Sequence, residues 1–309
     1  MSDAATDAAS EAASDAVSVD VAVIGLGTMG GRCAALAVEK GFEVVGFDPV
    51  PEVRERAAAQ GVTVAADAAA AVRDARVVLV SVPLPEHVAA LAAGPLQAAS
   101  PGTVVVDLST IDPETARAAH AGLTAYDVVY IDAPVLGRPD RCGAWTLVVG
   151  GPVGTVAQVT PLLEKTVAAR VVHVGDVGAG SAVKLLNNLM FGAINAVTAE
   201  ALTICRHSGV DPAVFVDAVA QSGAATVSNL FKELAPRMIA GDDDPTFALD
   251  LLAKDNRLAL QLAQQKRTAA PIAATVDMLN TAGLAQGLGP RDSGAMHRVY
   301  GLFSPQDRP

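Results

Sequence analysis

The chain is poor in the residues that build several kinds of site. Its three cysteines, Cys33, Cys142 and Cys205, are odd in number and share no C-x-x-C or Cys/His spacing. That argues against a disulfide framework or a zinc site and predicts reduced thiols in a cytoplasmic protein. The histidines, His87, His120, His173, His207 and His297, are scattered without ligand spacing, so no metal is expected. Cations are scarce: Lys and Arg number 22 against 33 Asp and Glu, for a net charge of −11. Such a balance speaks against nucleic acid and anionic membrane as partners. No uncharged apolar run reaches the roughly 18 residues of a membrane span. The longest candidate, after Gly178, is broken by Lys184, Asn187, Asn188, Asn195 and Glu200. The first 18 residues are mostly Ala, Ser and Asp with no basic stretch, which predicts a disordered acidic tail and no signal peptide. No internal repeat is present.

What the chain does have is an apolar fraction of 51% over 309 residues, enough for two domains with a sizeable core. From 19 to 175, short β-branched runs alternate with helical spacing. Strands are predicted at 19–24, 42–47, 62–64, 77–82, 103–108, 128–131, 145–150 and 169–174, and helices at 30–40, 54–60, 68–72, 113–123 and 153–166. This pattern predicts an α/β domain built on a Rossmann-type, doubly wound, mostly parallel sheet covered on both faces. After Gly175 the strand signal ends, and helices are predicted at about 180–208, 212–221, 226–239, 247–266 and 271–285. The expected organisation is a tail (1–18), a dinucleotide-binding domain (19–177) and an all-helical substrate and dimerisation domain (178–309) opened by a long helix.

The first strand runs into Gly25-Leu26-Gly27-Thr28-Met29-Gly30, a G-x-G-x-x-G turn that opens a helix. Gly25 serves the tight turn, Gly27 lets the backbone approach a pyrophosphate, and Gly30 lets helix and strand pack closely. The free N–H groups at the helix N-terminus then face the phosphates. Asp48, at the end of the second strand, is the acid expected to bind the ribose hydroxyls and repel a 2′-phosphate, so NAD is favoured over NADP. Arg54 and Arg56, just beyond, are the residues that could instead admit NADP.

The second candidate is Lys184, set in an otherwise apolar helix with Asn187 and Asn188 one turn on. At i, i+3 and i+4 the three share a face. A desolvated ammonium gives up its proton more readily, and adjacent amides can orient a polar substrate, which suits general acid/base chemistry. The acidic run Asp242-Asp243-Asp244 reads as a solvated loop and cap. Asp292 and Ser293 either approach a neighbouring site or cap a helix.

Together these motifs resemble the β-hydroxyacid dehydrogenase family, the group that includes 3-hydroxyisobutyrate dehydrogenases. The likeness covers roughly 19–303. Besides the glycine turn, it rests on Asp107-Leu108-Ser109-Thr110-Ile111-Asp112-Pro113, on Asp132-Ala133-Pro134-Val135-Leu136-Gly137-Arg138, on Gly178-Ala179-Gly180 through Lys184 to Asn188, and on Ala253-Lys254-Asp255-Asn256. The resemblance implies Lys184 as catalytic acid/base. It implies substrate contacts from Ser109, Thr110, Leu136, Gly137, Arg138 and Asn188. Cofactor contacts are implied for Gly25, Leu26, Gly27, Thr28, Met29, Gly30, Asp48, Pro83, Leu84, Thr110 and Lys254. Three positions depart from the family pattern: Leu136 stands where the family has serine, Arg138 where it has a second glycine, and Asn256 where it has leucine. Arg138 is cationic and able to grip an acidic group bidentately.

The activity so implied is NAD-dependent hydride exchange with a short 3-hydroxy acid or its semialdehyde, in a homodimer or homotetramer formed through the helical domain. Two alternatives stand beside it: an imine reductase of similar fold, and a protein that binds NAD without chemistry.

Overall fold

The computed structural model describes residues 19–223 and 228–303, so the expected tail lies outside the described residues. Contacts divide the chain into two compact units, one running to Ser109 and from Pro113 to Gly180, the other comprising Thr110–Asp112 and everything from Ser181 on.

In the first unit the order is β1 (Val19–Ile24), α1 (Gly30–Glu39), β2 (Val44–Phe47), α2 (Pro51–Ala59), β3 (Thr63–Val64), α3 (Ala68–Val72) and β4 (Ala75–Val80). There follow α4 (Pro85–Ala92), β5 (Val104–Asp107), α5 (Pro113–Thr124), β6 (Val129–Asp132), β7 (Val135–Leu136), β8 (Trp145–Gly150), α6 (Val153–Thr166) and β9 (Ala168–Gly175). The strands form one sheet in the order β3-β2-β1-β4-β5-β6-β8-β7, with β9 on β8. β1 to β6 pair in parallel, whereas β8 runs antiparallel to β6 and β7. The doubly wound, mostly parallel sheet expected from the sequence is therefore present. Its strands read as β-branched runs because both faces are buried: Val21, Val23, Val78, Leu79, Val105 and Val106 are closed to solvent.

Two elements were not anticipated here. α4 begins at Pro85, a proline suited to the first helical turn, after the extended Leu84. β7 is only two residues long and pairs across to β8, too short for any periodic signal.

The second unit is built from α7 (Ala179–His207, whose first two residues belong to the first unit), α8 (Pro212–Gln221), α9 (Asn229–Ala240), α10 (Leu249–Gln265), α11 (Pro271–Ala285) and α12 (His297–Phe303). The sequence reading did not foresee α12. Ser228 caps α9 through its hydroxyl and Asp211 caps α8 through its carboxylate. Its core gathers Leu202, Phe231, Leu234, Met238, Leu249, Met296 and Val299. Within the 29 residues of α7 an 18-residue window reaches a mean hydropathy of 1.3, long and apolar enough by composition to cross a membrane. Yet 44% of that window is buried inside the protein, and the charged and amide residues noted in the sequence interrupt its apolar run. Along its buried face lie Ser181, Leu185, Asn188, Asn195, Ala199 and Leu202.

Candidate active site

In the first unit, strand order reverses between β1 and β4, and the glycine turn stands at that switch point. Gly25 has φ +88°, and a Cβ there would run into the Ser81 carbonyl; a Cβ on Gly30 would meet the Gly25 carbonyl. Both glycines are thus demanded by packing. Gly27 differs, because a Cβ there would find nothing within 4 Å. Gly27 and Thr28 are exposed, and Met29, at the mouth of α1, offers the helix no side-chain cap. An open glycine beside an uncapped N-terminus of a ten-residue helix fits a pyrophosphate.

Asp48 is buried and holds this turn in shape: its carboxylate accepts from Leu26 N (2.9 Å) and Val50 N (2.9 Å). Each oxygen keeps a lone pair for a ribose hydroxyl. Arg54 lies over the Phe47 ring and donates to the carbonyls of Asp48 (2.7 Å) and Pro49 (3.0 Å), while Arg56 is exposed. Pro83 is exposed and Leu84 half-buried ahead of α4.

Ser109 sits past the end of β5, where its hydroxyl accepts from Val82 N at 2.9 Å and so ties the loop after β4 to the loop after β5. Behind it lies a frame that the sequence reading did not single out. Asp107 accepts from Ser109 N (2.8 Å) and from the Tyr130 hydroxyl (2.5 Å). Burial, with Asp132 paired in register on β6, pushes the Asp107 carboxyl above its ordinary range. Asp132 in turn accepts from Gly178 N at 2.7 Å, and Gly180 lies against its carbonyl too closely for a Cβ. The acids that lead two of the sequence motifs were the available signal.

Leu136 ends β7 and Arg138 lies in the loop after it, both half-buried, with the exposed Gly137 between them. A Cβ on Gly137 would strike the Trp145 indole, which is fully buried and donates to the Arg138 carbonyl at 2.6 Å. The loop is therefore braced from below by one tryptophan.

The second unit gathers Lys184, Asn188, Lys254 and Asp255. Lys184 and Asn188 stand one turn apart on α7, Lys184 half-buried and Asn188 buried. Asn188 donates from Nδ2 to Asp255 Oδ2 at 2.6 Å and accepts at Oδ1 from Asn187 Nδ2 at 3.0 Å. A carboxylate only accepts, so this amide orientation is fixed, and the free valence of Asn188 is its second N–H. Asp255, almost wholly buried, also pairs with Lys254 (3.0 Å), whose ammonium donates to the Thr110 carbonyl at 2.9 Å. Lys254, half-buried, is thus engaged with Asp255 and Thr110. Burial lowers the proton affinity of Lys184 below the ordinary lysine value; Asp255 opposes the shift and Lys254 adds to it. Asp255 is the member of this group that the sequence reading quoted without a role.

The structure brings together Lys184, Asn188, Lys254 and Thr110 in the second unit. The glycine turn, Asp48, Pro83, Leu84, Ser109 and the Leu136–Arg138 loop belong to the first. Asp292 is a loop organiser and cap: it accepts from Thr246 N, Phe247 N and Gly294 N. The acidic run is not a simply solvated loop, because Asp243 is buried and paired with Arg298, while Asp242 pairs with Arg237.

Two family models match the chain: the NAD binding domain of 6-phosphogluconate dehydrogenase over residues 20–175, and the NAD-binding region of NADP-dependent 3-hydroxyisobutyrate dehydrogenase over 178–300. A 3-hydroxyisobutyrate dehydrogenase from Pseudomonas aeruginosa is 34% identical, covering 82% of this chain and 89% of its own. A 2-(hydroxymethyl)glutarate dehydrogenase from Eubacterium barkeri is 29% identical over 91% of this chain and 95% of its own. Among solved structures, the Mycobacterium tuberculosis 3-hydroxyisobutyrate dehydrogenase with L-serine superposes with a TM-score of 0.84 at 30% identity, covering 93% of this chain and 99% of that one. An imine reductase from Pseudomonas sp. (TM-score 0.58, 17% identity, 91% of this chain and 99% of that one) shares the fold alone. A Rossmann domain with a fitted glycine turn, followed by a helical domain bearing a half-buried lysine of lowered proton affinity, defines an NAD(P)-dependent oxidoreductase. The chain belongs to the β-hydroxyacid dehydrogenase family, whose members act on CH–OH groups.

Proposed function

We propose that this chain is an NAD-preferring dehydrogenase of a short 3-hydroxy acid, with Lys184 as its general acid/base. The observation that carries the reading is the lowered proton affinity of Lys184, one turn from an asparagine whose donor is oriented by Asp255. When bound, the nicotinamide accepts a hydride from the carbinol carbon or returns it. Neutral Lys184 takes the hydroxyl proton as the alcohol becomes a carbonyl, and its ammonium gives the proton back in the reducing direction. The second N–H of Asn188 holds the reacting oxygen. Ser109, whose hydroxyl proton is not spent on Val82, Thr110 and the Leu136–Gly137–Arg138 loop hold the acid end, with Arg138 favouring the more anionic substrates.

Gly25, Leu26, Gly27, Thr28, Met29 and Gly30 hold the pyrophosphate, Asp48 the ribose, and Pro83, Leu84, Thr110 and Lys254 the remainder of the cofactor. The preference for NAD rests on Asp48, since its carboxylate repels a 2′-phosphate while Arg54 is engaged with two backbone carbonyls. The working form is a homodimer through the helical unit, or a tetramer built from it. Leu186, Met190, Val197 and Ile204 leave an apolar stripe exposed along α7, and Ile272 and Met278 add to it on α11. The cytoplasm suits its reduced thiols.

The test is spectrophotometric. Purified protein is mixed with NAD or NADP and a panel of short 3-hydroxy acids, and nicotinamide reduction is followed at mildly alkaline pH. Faster turnover with NAD supports the reading. Tight NAD binding with silence across the panel shifts the weight to imine reduction or to binding without chemistry. Light scattering after size exclusion tests the oligomer, and a stable monomer at micromolar concentration sinks it.

A further inference from the structure

Cys33 and Cys142 lie 109 positions apart in the sequence, yet both belong to one core in the first unit, where each thiol shifts the proton affinity of the other. Cys33 is fully buried on α1, one turn beyond the glycine fingerprint. Cys142 is half-exposed in the turn that closes the Leu136–Arg138 loop, and it packs against the core that contains Cys33. The neighbouring residue secures that approach: Gly143, at φ +89°, lies against Leu36 of α1 and donates to the Val167 carbonyl at 3.0 Å. We propose that Cys33 and Cys142 form a reversible disulfide in response to peroxide, tethering the loop after β7 to the helix of the nucleotide fingerprint.

The two thiols are unequal in the way such a pair requires. The Cys33 thiol and the Arg32 guanidinium both favour a thiolate at Cys142, whose proton affinity is lowered, whereas Cys33 is raised well above the usual thiol. The Cys142 thiolate attacks one oxygen of hydrogen peroxide, the O–O bond breaks, and hydroxide leaves to be protonated to water. The resulting sulfenic acid is attacked by the Cys33 sulfur, so that an S–S bond forms, the S–O bond breaks and a second water departs. Two thiols are oxidised, one peroxide is reduced to two waters, and a dithiol reductant reverses the change by exchange. Bridging asks the sulfurs to close to about 2.05 Å, with a movement of the Cys142 turn towards α1. The turn bearing Cys142 has exposed residues on either side with which to make it. Cys205, on α7 in the second unit, has no part in the pair.

An effect of the tether on turnover rests on the proposed reading of Leu136–Arg138 as a substrate loop, whereas the cross-link does not, and the experiment separates them. The full chain is treated with limiting hydrogen peroxide beside Cys142→Ser and Cys205→Ser variants. The expected results are a loss of about two mass units, a fall in titratable thiols from three to one, and a proteolytic peptide joining Cys33 to Cys142. Cys205→Ser should behave as the parent and Cys142→Ser should lose the cross-link. Hydrogen exchange over 137–144 should slow at least about tenfold in the oxidised form, turnover should fall, and dithiothreitol should restore both. A sulfinic acid at Cys142 with Cys33 still reduced, or a disulfide through Cys205 between copies, overturns the pair. A cross-linked protein with unchanged exchange in the loop overturns the tether. Absence of turnover on every substrate, with the cross-link and slowed exchange intact, counts against the dehydrogenase reading alone.

Discussion

The two units differ in how the buried polar side chains of their regular elements are satisfied, although loop residues such as Asp292 in the second unit also bind backbone N–H groups. In the first, Asp48, Thr103, Asp107, Ser109 and Thr166 are each buried and each bonded, mostly to backbone N–H or C=O at strand ends and helix ends. In the second, Asn195, Asn256 and Asn280 are closed to solvent, and neither amide atom of any of the three has a partner among the described residues. The cause lies in the backbone. A parallel sheet leaves N–H and C=O groups at the ends of its strands, where loops need fixing, so a buried polar side chain there has something to bind. Inside a helix those groups are largely spent on the next turn; a threonine hydroxyl can still bond a carbonyl one turn back, as Thr166 does, but a buried amide has to find another side chain or go without. Asp255 finds Asn188 and Lys254. Lys184 shows the consequence as a lowered proton affinity, the property the proposed chemistry uses.

The largest test of this contrast is Lys184→Ala. If the second unit supplies side-chain chemistry and the first supplies a backbone cradle, turnover should fall by roughly 10² to 10⁴ while the dissociation constant for NAD stays unchanged. Stopped-flow turnover beside fluorescence titration reads both quantities, and near-normal turnover would remove Lys184 from its role. The counterpart in the first unit is a pair of glycines. Gly25→Ala forces a Cβ into the Ser81 carbonyl at φ +88° and should destabilise the fold by more than about 2 kcal/mol. Gly27→Ala meets nothing within 4 Å, so the melting temperature should hold while NAD binding weakens by about tenfold, or 1.4 kcal/mol. Equal thermal losses at the two positions would mean that Gly27 serves the fold and not a ligand.

The same contrast governs how much could be read in advance. The first unit was legible because its signals are local: alternating β-branched runs, a glycine turn opening a helix, an acid at the end of β2. What escaped there were pieces too short for periodicity, such as β7, and the frame of Asp107, Tyr130 and Asp132, which arises only when β5 and β6 pair in register. In the second unit the helices were legible and so was Lys184, an odd residue among apolar ones. The partnership of Asn188 with Asp255 spans 67 positions between two helices, and no spacing rule links them. Asn256 looked like a substitution within a motif, and its isolation became visible only with α7 packed against it.

Asp255→Asn sharpens the reading of Lys184. The carboxylate raises the lysine's proton affinity against the pull of burial, so removing it lowers that affinity further. Hydroxy-acid oxidation needs neutral lysine, and its pH profile should climb through a limb below the ordinary lysine value of 10.5. In the variant that limb should move to lower pH; a shift upward would contradict the placement of Asp255. Stability carries the same sign. A lysine that binds its proton less tightly when folded than when unfolded costs stability at low pH, and the cost is relieved as pH rises from the lowered value towards 10.5.

The smallest expected effect is also the most direct test of the comparison. The Asn256 amide lies so close to Gly192 of α7 that a Cβ there would strike it, and the same space is walled by Val276 of α11, one turn before Asn280. Asn195 is one turn beyond Gly192, so all three isolated amides come from helix segments that converge on this spot. Leucine has nearly the shape of asparagine and is the residue the family pattern carries at this position. If the amide is desolvated without compensation, Asn256→Leu should stabilise the protein by about 1 kcal/mol and raise its melting temperature by a few degrees. If buried water satisfies the cluster, the substitution strands Asn195 and Asn280 and the protein melts earlier. An earlier melt would mean that the second unit, like the first, binds its buried polar groups, through water where the first uses backbone.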